Sequence, residues 1–160
     1  MVSVAILTIS DSRYSGSNQD VSGDMVSKNI KTHGFQEVYR GIVPDNQEEI
    51  RSKLIQLSDD EKINVILTTG GTGLGPRDCT PEATKKILDL EVPGISEAMR
   101  IETRKNADTS ILSRGISGLR GNCLIVNLPG SPKAVSECLN SVISVIGHAV
   151  EMLSGRTEHQ

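Results

Sequence analysis

The sequence has almost no aromatic side chains: no tryptophan, one phenylalanine (Phe35) and two tyrosines (Tyr14 and Tyr39). Its core must therefore be built from Val, Ile and Leu, and it offers no stacking platform for the bases of single-stranded nucleic acid. A planar ligand has to be held mainly by its edges. Positive charge is not in excess either. The formal net charge is -3, so no broad basic field exists to hold nucleic acid or an anionic membrane. The three cysteines, Cys79, Cys123 and Cys138, are odd in number and nowhere spaced as CxxC. That argues against a disulfide framework and a zinc site and fits a reducing compartment. No apolar run approaches the roughly 18 residues of a membrane span. The opening MVSVAILTISDSR has no basic stretch before its apolar segment and no small-residue cleavage site after it. A soluble, cytoplasmic protein without nucleic-acid or membrane partners is expected.

The 160 residues are the size of one domain, expected to span 1–160. Four β-branched apolar stretches read as strands: 2–9 (VSVAILTI), 35–43, 63–69 (INVILTT) and 123–128 (CLIVNL). The first, third and fourth are nearly continuous hydrophobic runs, as in strands covered by helices on both faces. Between them lie helical stretches. One runs from Val21 to His33 and closes at Gly34. A second opens on Asp45-Asn46-Gln47-Glu48, which matches a capping box, and carries the stripe Ile50, Leu54, Leu57. A third opens on Thr80-Pro81-Glu82, with Thr80 as N-cap and Pro81 at the first helical position. The last and longest opens on Ser131-Pro132-Lys133 and keeps Val135, Leu139, Val142, Ile146, Ala149 and Leu153 on one face. Residues 157–160 are expected to fray. This alternation predicts a three-layer α/β/α sandwich around a mostly parallel sheet. Ligands then belong in the loops at the carboxyl ends of strands: 10–23, 44–46, 70–78 and 129–133.

Of these loops, 70–75 (GGTGLG) carries four glycines directly after a buried strand. Glycines admit positive φ and let backbone amides approach an anion closely. The spacing is neither GxGxxG nor a GK[ST] loop, which disfavours a nicotinamide dehydrogenase and a P-loop enzyme. A phosphate-binding loop and a plain tight turn both fit. Next come Arg77 and Asp78, a cation and a carboxylate beside a helix start. They read either as anion- and metal-binding equipment or as a mutual surface ion pair. Asp45, at another strand end, is either a second functional carboxylate or a helix cap. The first loop is long and polar for an α/β connection. Histidines 33, 148 and 159 lie in no hydrolase pattern, so a nucleophilic triad is not expected. Cys79 has no neighbour placed to take its proton.

The segments LTTGGTGLGPRDCTPEAT, LSRGISGLRGNCLIVNLPGSPKAV, ISDSRYSG and DVSGD resemble the molybdopterin adenylyltransferase family of Mog and MoaB type, over most of the chain. The resemblance implies a molybdopterin-binding fold and AMP transfer from Mg-ATP to the terminal phosphate of molybdopterin, with release of pyrophosphate. It implies Mg2+ as cofactor and ATP and molybdopterin as substrates. Asp45 and Asp78 are the implied catalytic and metal-holding carboxylates. Gly70, Gly71, Thr72, Gly73, Arg77, Ser113, Arg114, Gly130, Ser131 and Lys133 are implied for the pterin and its phosphate, and Ser10, Asp11, Asp20, Ser22 and Gly23 for the nucleotide. A homotrimer or hexamer and contact with a molybdenum-insertion enzyme are implied as well. Two rival readings stay open: a non-catalytic molybdopterin-binding paralogue, and a flavodoxin-like carrier using the glycine loop for another phosphate.

Overall fold

In the computed structural model, which describes residues 1–60 and 62–155, strand β1 (Ser3–Ile9) buries all but its first residue. Val4 and Ile6 face one apolar cluster, while Ala5, Leu7 and Ile9 face another. This is the period-two geometry of a strand with helices on both sides. Strands β2 (Gln36–Val43), β3 (Val65–Thr69), β4 (Leu90–Glu91), β5 (Ser117–Arg120) and β6 (Cys123–Leu128) complete one sheet in the order β2-β1-β3-β6-β5-β4. The first four in that order are parallel, and β5 and β4 are added antiparallel.

Helices α2 (Val21–Thr32), α5 (Pro93–Thr103) and α6 (Pro132–Leu153) close one face with Ile30, Met99, Leu139 and Val142. Helices α3 (Gln47–Ser58) and α4 (Thr80–Lys85) close the other with Ile50, Leu54 and Ala83. The predicted three-layer sandwich is the observed architecture. A four-residue α1 (Asp11–Tyr14) and a 3-10 turn (Asp108–Leu112) complete the elements. No described helix is long and apolar enough to cross a membrane.

Helix ends follow the expected chemistry with two corrections. At the end of α2, Gly34 takes φ +75. There Phe35 N–H donates to Ile30 O and Gly34 N–H to Lys31 O, the paired bonds of a Schellman ending. Asp45 is not the cap of α3. Asn46 is, its Oδ1 accepting from the N–H groups of Glu48 and Glu49 at 3.0 and 3.1 Å. Thr80 is not the cap of α4 but its first residue. Cys79 occupies the cap position without a side-chain bond, and Pro81 falls one place later than expected. Residues 157–160, with His159, lie outside the described residues.

Sequence patterning had not indicated β4, β5, α1, α5 or the 3-10 turn. β5 is short and contains Gly118, where a Cβ would lie 2.4 Å from the Leu90 carbonyl oxygen. α5 opens on Pro93 with no side-chain cap and no acid in its first turn. Because β2 and β3 lie on opposite sides of β1, a crevice opens at their carboxyl ends, the switch point where α/β sheets bind ligands.

Candidate active site

The glycine loop is locked into the sheet end before it turns. Thr69 Oγ1 donates to Pro129 O at 2.7 Å, and Gly70 N–H donates to Leu128 O at 3.3 Å. Gly70 has φ +101, and a Cβ there would lie 2.3 Å from Ile9 O. Gly71 has φ +67, and a Cβ there would lie 2.3 Å from Thr80 Oγ1 and 3.2 Å from Asp45 Oδ1. Only glycine meets both the angle and the close approach. Thr80, fully buried, fastens the turn: its Oγ1 donates to Gly70 O at 2.9 Å and its N–H to Gly71 O at 3.1 Å. The N–H groups of Gly71, Thr72 and Gly73 have no protein acceptor among the described residues, which leaves them for a ligand. Asp78 folds back under the loop, its Oδ2 accepting from Gly75 N–H at 3.1 Å.

Outside the loop lies a carboxylate cluster. Asp11 N–H donates to Asp45 Oδ2 at 2.9 Å, and Asp45 N–H donates to Asp11 Oδ1 at 3.0 Å. Released from helix capping, Asp45 is thus tied to the end of β1. Arg77 does not pair with Asp78. Its guanidinium forks onto the Asp11 carboxylate with two bonds of 3.1 Å. That fork, aided by the Asp45 N–H···carboxylate arrangement, holds the Asp11 carboxyl below its ordinary range. Asp45 is pushed the other way, first by burial and then by the charges of Asp11 and Asp78. Burial and the Asp45 charge also push the Cys79 thiol up, which disfavours the thiolate form a nucleophile needs.

Inside the loop is a cavity of about 650 Å³. Gly71, Thr72, Gly73 and Asp78 form one wall, and Gly130, Ser131 and Lys133 form the second. Ser113 and Gly115 form a third, and α5, the 3-10 turn and α6 close it with Arg100, Ser110 and Glu137. Ser131 caps α6 through Ala134 N–H, and the exposed Lys133 ammonium stands 4.0 Å from Glu137. The structure therefore brings together most of the residues expected for the pterin. Gly70, packed against the Ile9 carbonyl, and Arg77 and Arg114 do not line the cavity.

A protein-family profile described as "Probable molybdopterin binding domain" matches residues 5–148. The chain belongs to the molybdopterin adenylyltransferase family of Mog and MoaB type. It is 37% identical over 156 residues to the molybdopterin adenylyltransferase of Helicobacter pylori, covering 96% of this chain and 89% of that one. It is 42% identical over 153 residues to the Drosophila melanogaster molybdenum cofactor synthesis protein cinnamon, covering 95% of this chain but 26% of that protein. Among solved structures, the molybdopterin biosynthesis enzyme MoaB of Thermus thermophilus superposes with a TM-score of 0.91 at 42% identity, covering 97% of this chain and 98% of that one. The flavodoxin-like reading is set aside.

Family membership brings a divalent metal into question. Among the described residues, no group of three or more His, Cys, Asp or Glu side chains could hold a metal ion alone. Asp45 and Asp78 nonetheless both lean on the glycine loop, where a Cβ on Gly71 would lie 3.2 Å from Asp45 Oδ1 and a Cβ on Gly73 2.9 Å from Asp78 Oδ2. Magnesium is commonly bound by one or two carboxylates with substrate phosphates supplying further ligands. The residues fit that arrangement.

The first-loop residues separate into two groups. Ser10, whose Oγ accepts from Arg13 N–H, and Asp11 stand beside the carboxylates. Asp20, Ser22 and Gly23 lie deeper. Asp20 caps α2 through Gly23 N–H and accepts from Thr8 Oγ1, while buried Ser22 donates to Gly130 O. Of the three, Ser22 braces the second wall from behind. Site residues that patterning missed include Arg100 and Asn127. Asn127, buried, donates to Thr68 and Thr84 hydroxyls and accepts from Ile116 N–H, fixing the third wall to the sheet. The i, i+4, i+8 spacing of Ile95, Met99 and Thr103 was the available signal for α5.

Proposed function

We propose that the chain transfers AMP from Mg-ATP to the terminal phosphate of molybdopterin, releasing pyrophosphate, within molybdenum cofactor biosynthesis. The observation that carries this reading is the position of Gly71. Its backbone lines the cavity on one side, and on the other it leaves no room for a side chain before Thr80, with Asp45 close beside it. A pterin phosphate seated on the inner side is therefore one peptide away from the carboxylates that serve the nucleotide.

In the proposed reaction a phosphate oxygen of molybdopterin attacks the α-phosphorus of ATP. The bond from that phosphorus to the bridging oxygen breaks, and pyrophosphate leaves with the electron pair. The chain's contribution is alignment and charge. The N–H groups of Gly71, Thr72 and Gly73 donate to the pterin phosphate, Lys133 balances its charge at the rim, and Ser113 and Ser131 offer hydroxyls to the ligand's edges. Ser10 and Asp11 lie on the nucleotide side. Arg77 holds Asp11 in place rather than gripping the pterin phosphate. Asp45 and Asp78 would hold a magnesium ion, which supplies neutralisation of charge on the reacting phosphates.

The test is anaerobic incubation with molybdopterin, ATP and Mg2+. Adenylylated pterin and pyrophosphate in equal amounts are expected. Pterin binding without either product overturns the catalytic reading in favour of the binding paralogue. The same proposal includes a cytoplasmic homotrimer that hands its product to a metal-insertion enzyme. Exposed Leu74, Ile101 and Ile111 support an assembly surface, and light scattering decides between the trimer, a hexamer and a monomer of 17.2 kDa.

A further inference from the structure

We propose that Arg114 is a positioning residue that clamps the loop from Thr72 to Asp78 from behind, and that it does not bind substrate. Its side chain reaches both ends of that loop. Nε donates to Gly73 O at 2.8 Å, Nη2 donates to Asp78 O at 3.0 Å, and Nη1 meets the Glu82 carboxylate of α4. The Arg114 N–H adds a bond to Thr72 O at 2.8 Å. Ser113 and Gly115 line the cavity, yet Arg114 between them does not. The guanidinium is therefore turned away from the ligand space and engaged by protein acceptors.

The loop needs such a clamp. Between Gly73 and Asp78 its own hydrogen bonds are the two that join Gly75 and Asp78, and Leu74 at its tip is 68% exposed. Fixing the Thr72, Gly73 and Asp78 carbonyls fixes three peptide planes, and with them the Gly73 and Leu74 amides and the origin of the Asp78 side chain. A planar fork of five N–H donors can hold two carbonyls and a carboxylate at once, which a lysine ammonium cannot do in the same plane. The clamp is itself braced. Arg100 of α5 donates to Ser113 O and Gly115 O at 3.3 and 2.9 Å, on either side of Arg114. Burial works against ionised Glu82, but its bonds to Arg114 and to its own backbone N–H outweigh this and hold its carboxyl below the ordinary range.

The functional arm of the test rests on the proposed adenylyl transfer, whereas the structural arm does not. Amide hydrogen exchange is measured on wild-type, Arg114→Lys and Glu82→Gln chains without ligand, alongside kcat and KM for molybdopterin. In Arg114→Lys the amides of Gly73, Leu74, Gly75, Arg77 and Asp78 exchange about tenfold faster or more, and kcat falls roughly a hundredfold, as for a misplaced site. Glu82→Gln moves both quantities the same way by a smaller factor. The opposite pattern overturns the proposal: unchanged exchange in both variants, a raised KM at constant kcat in Arg114→Lys, and a lowered KM in Glu82→Gln as the freed guanidinium turns to substrate. If Arg114→Lys fails to fold, Glu82→Gln decides alone through the same readouts. If the wild-type chain adenylylates nothing, the functional proposal falls and exchange alone settles the clamp.

Discussion

The two sides of the glycine loop are built from different materials. Toward the cavity it presents backbone amides and small side chains, and the facing walls are mostly apolar surface carrying scattered hydroxyl and amide groups. Toward the outside it meets Asp45, Asp11 and Arg77, charged groups locked to each other through reciprocal main-chain bonds and a forked ion pair. Asp78 belongs to both, lining the cavity while acting electrostatically on Asp45. Under the proposed reaction this difference is a division of labour: the inner side would recognise shape and phosphate, and the outer side would manage the charge of phosphoryl-group transfer.

The most severe way to break that division is to remove the carboxylate charge that the two sides share. Asp78→Asn is expected to lower pyrophosphate release by about a thousandfold or more, in the range of losing a major electrostatic contribution, with the circular dichroism spectrum unchanged. Asp45→Asn is expected to lower turnover nearly as much and to raise stability at pH 7. Burial raises the Asp45 pKa in the folded chain, so the native state holds this proton more tightly than the unfolded state. Its stabilising contribution is present in full only below the unfolded aspartate value and is lost as pH rises through the raised folded value. Asparagine removes that loss. Tm of the variant should therefore exceed that of wild type at pH 7 and converge with it in acid, and an equal or lower Tm at pH 7 contradicts the assignment.

Gly71→Ala attacks the partition itself. The strained φ and the contact with Thr80 Oγ1 should cost about 1–3 kcal/mol, read as a lower denaturation midpoint, and activity should fall with it. Lys133→Ala sharpens the comparison from the inner side. Its exposed charge should affect KM for molybdopterin by about tenfold or less, with kcat nearly constant and the difference shrinking at high salt. A kcat effect larger than the KM effect would move Lys133 to the chemical side.

How legible these two sides were in the sequence follows from the range of the interactions. β1, β3 and β6 announce themselves as buried apolar runs, and the glycines at their ends mark the cavity wall. Asp78 is marked by the same contiguous segment. The outer cluster was harder to read because its partners are far apart in sequence. Arg77 sits beside Asp78 yet bonds to Asp11, 66 residues away. Asp45 satisfies the local pattern of a helix cap, but Asn46 takes that role and frees it. Of the third wall only Ser113 was marked, and that by the family resemblance. Arg100 and Asn127 act through the 113–116 segment, which is irregular backbone, and the short antiparallel β5 has too little periodicity to read. Arg114 was visible as a cation in a family pattern, but its direction, behind the loop, is a tertiary fact.

The division of labour is tested most directly by the pterin that stays on the protein. Wild-type and Asp78→Asn chains are incubated anaerobically with molybdopterin, ATP and Mg2+, separated from free ligand and examined by mass spectrometry. The account predicts adenylylated pterin on the wild-type chain and a comparable amount of unmodified pterin on the variant. Adenylylated pterin on the variant, or a variant that retains no pterin, would contradict it.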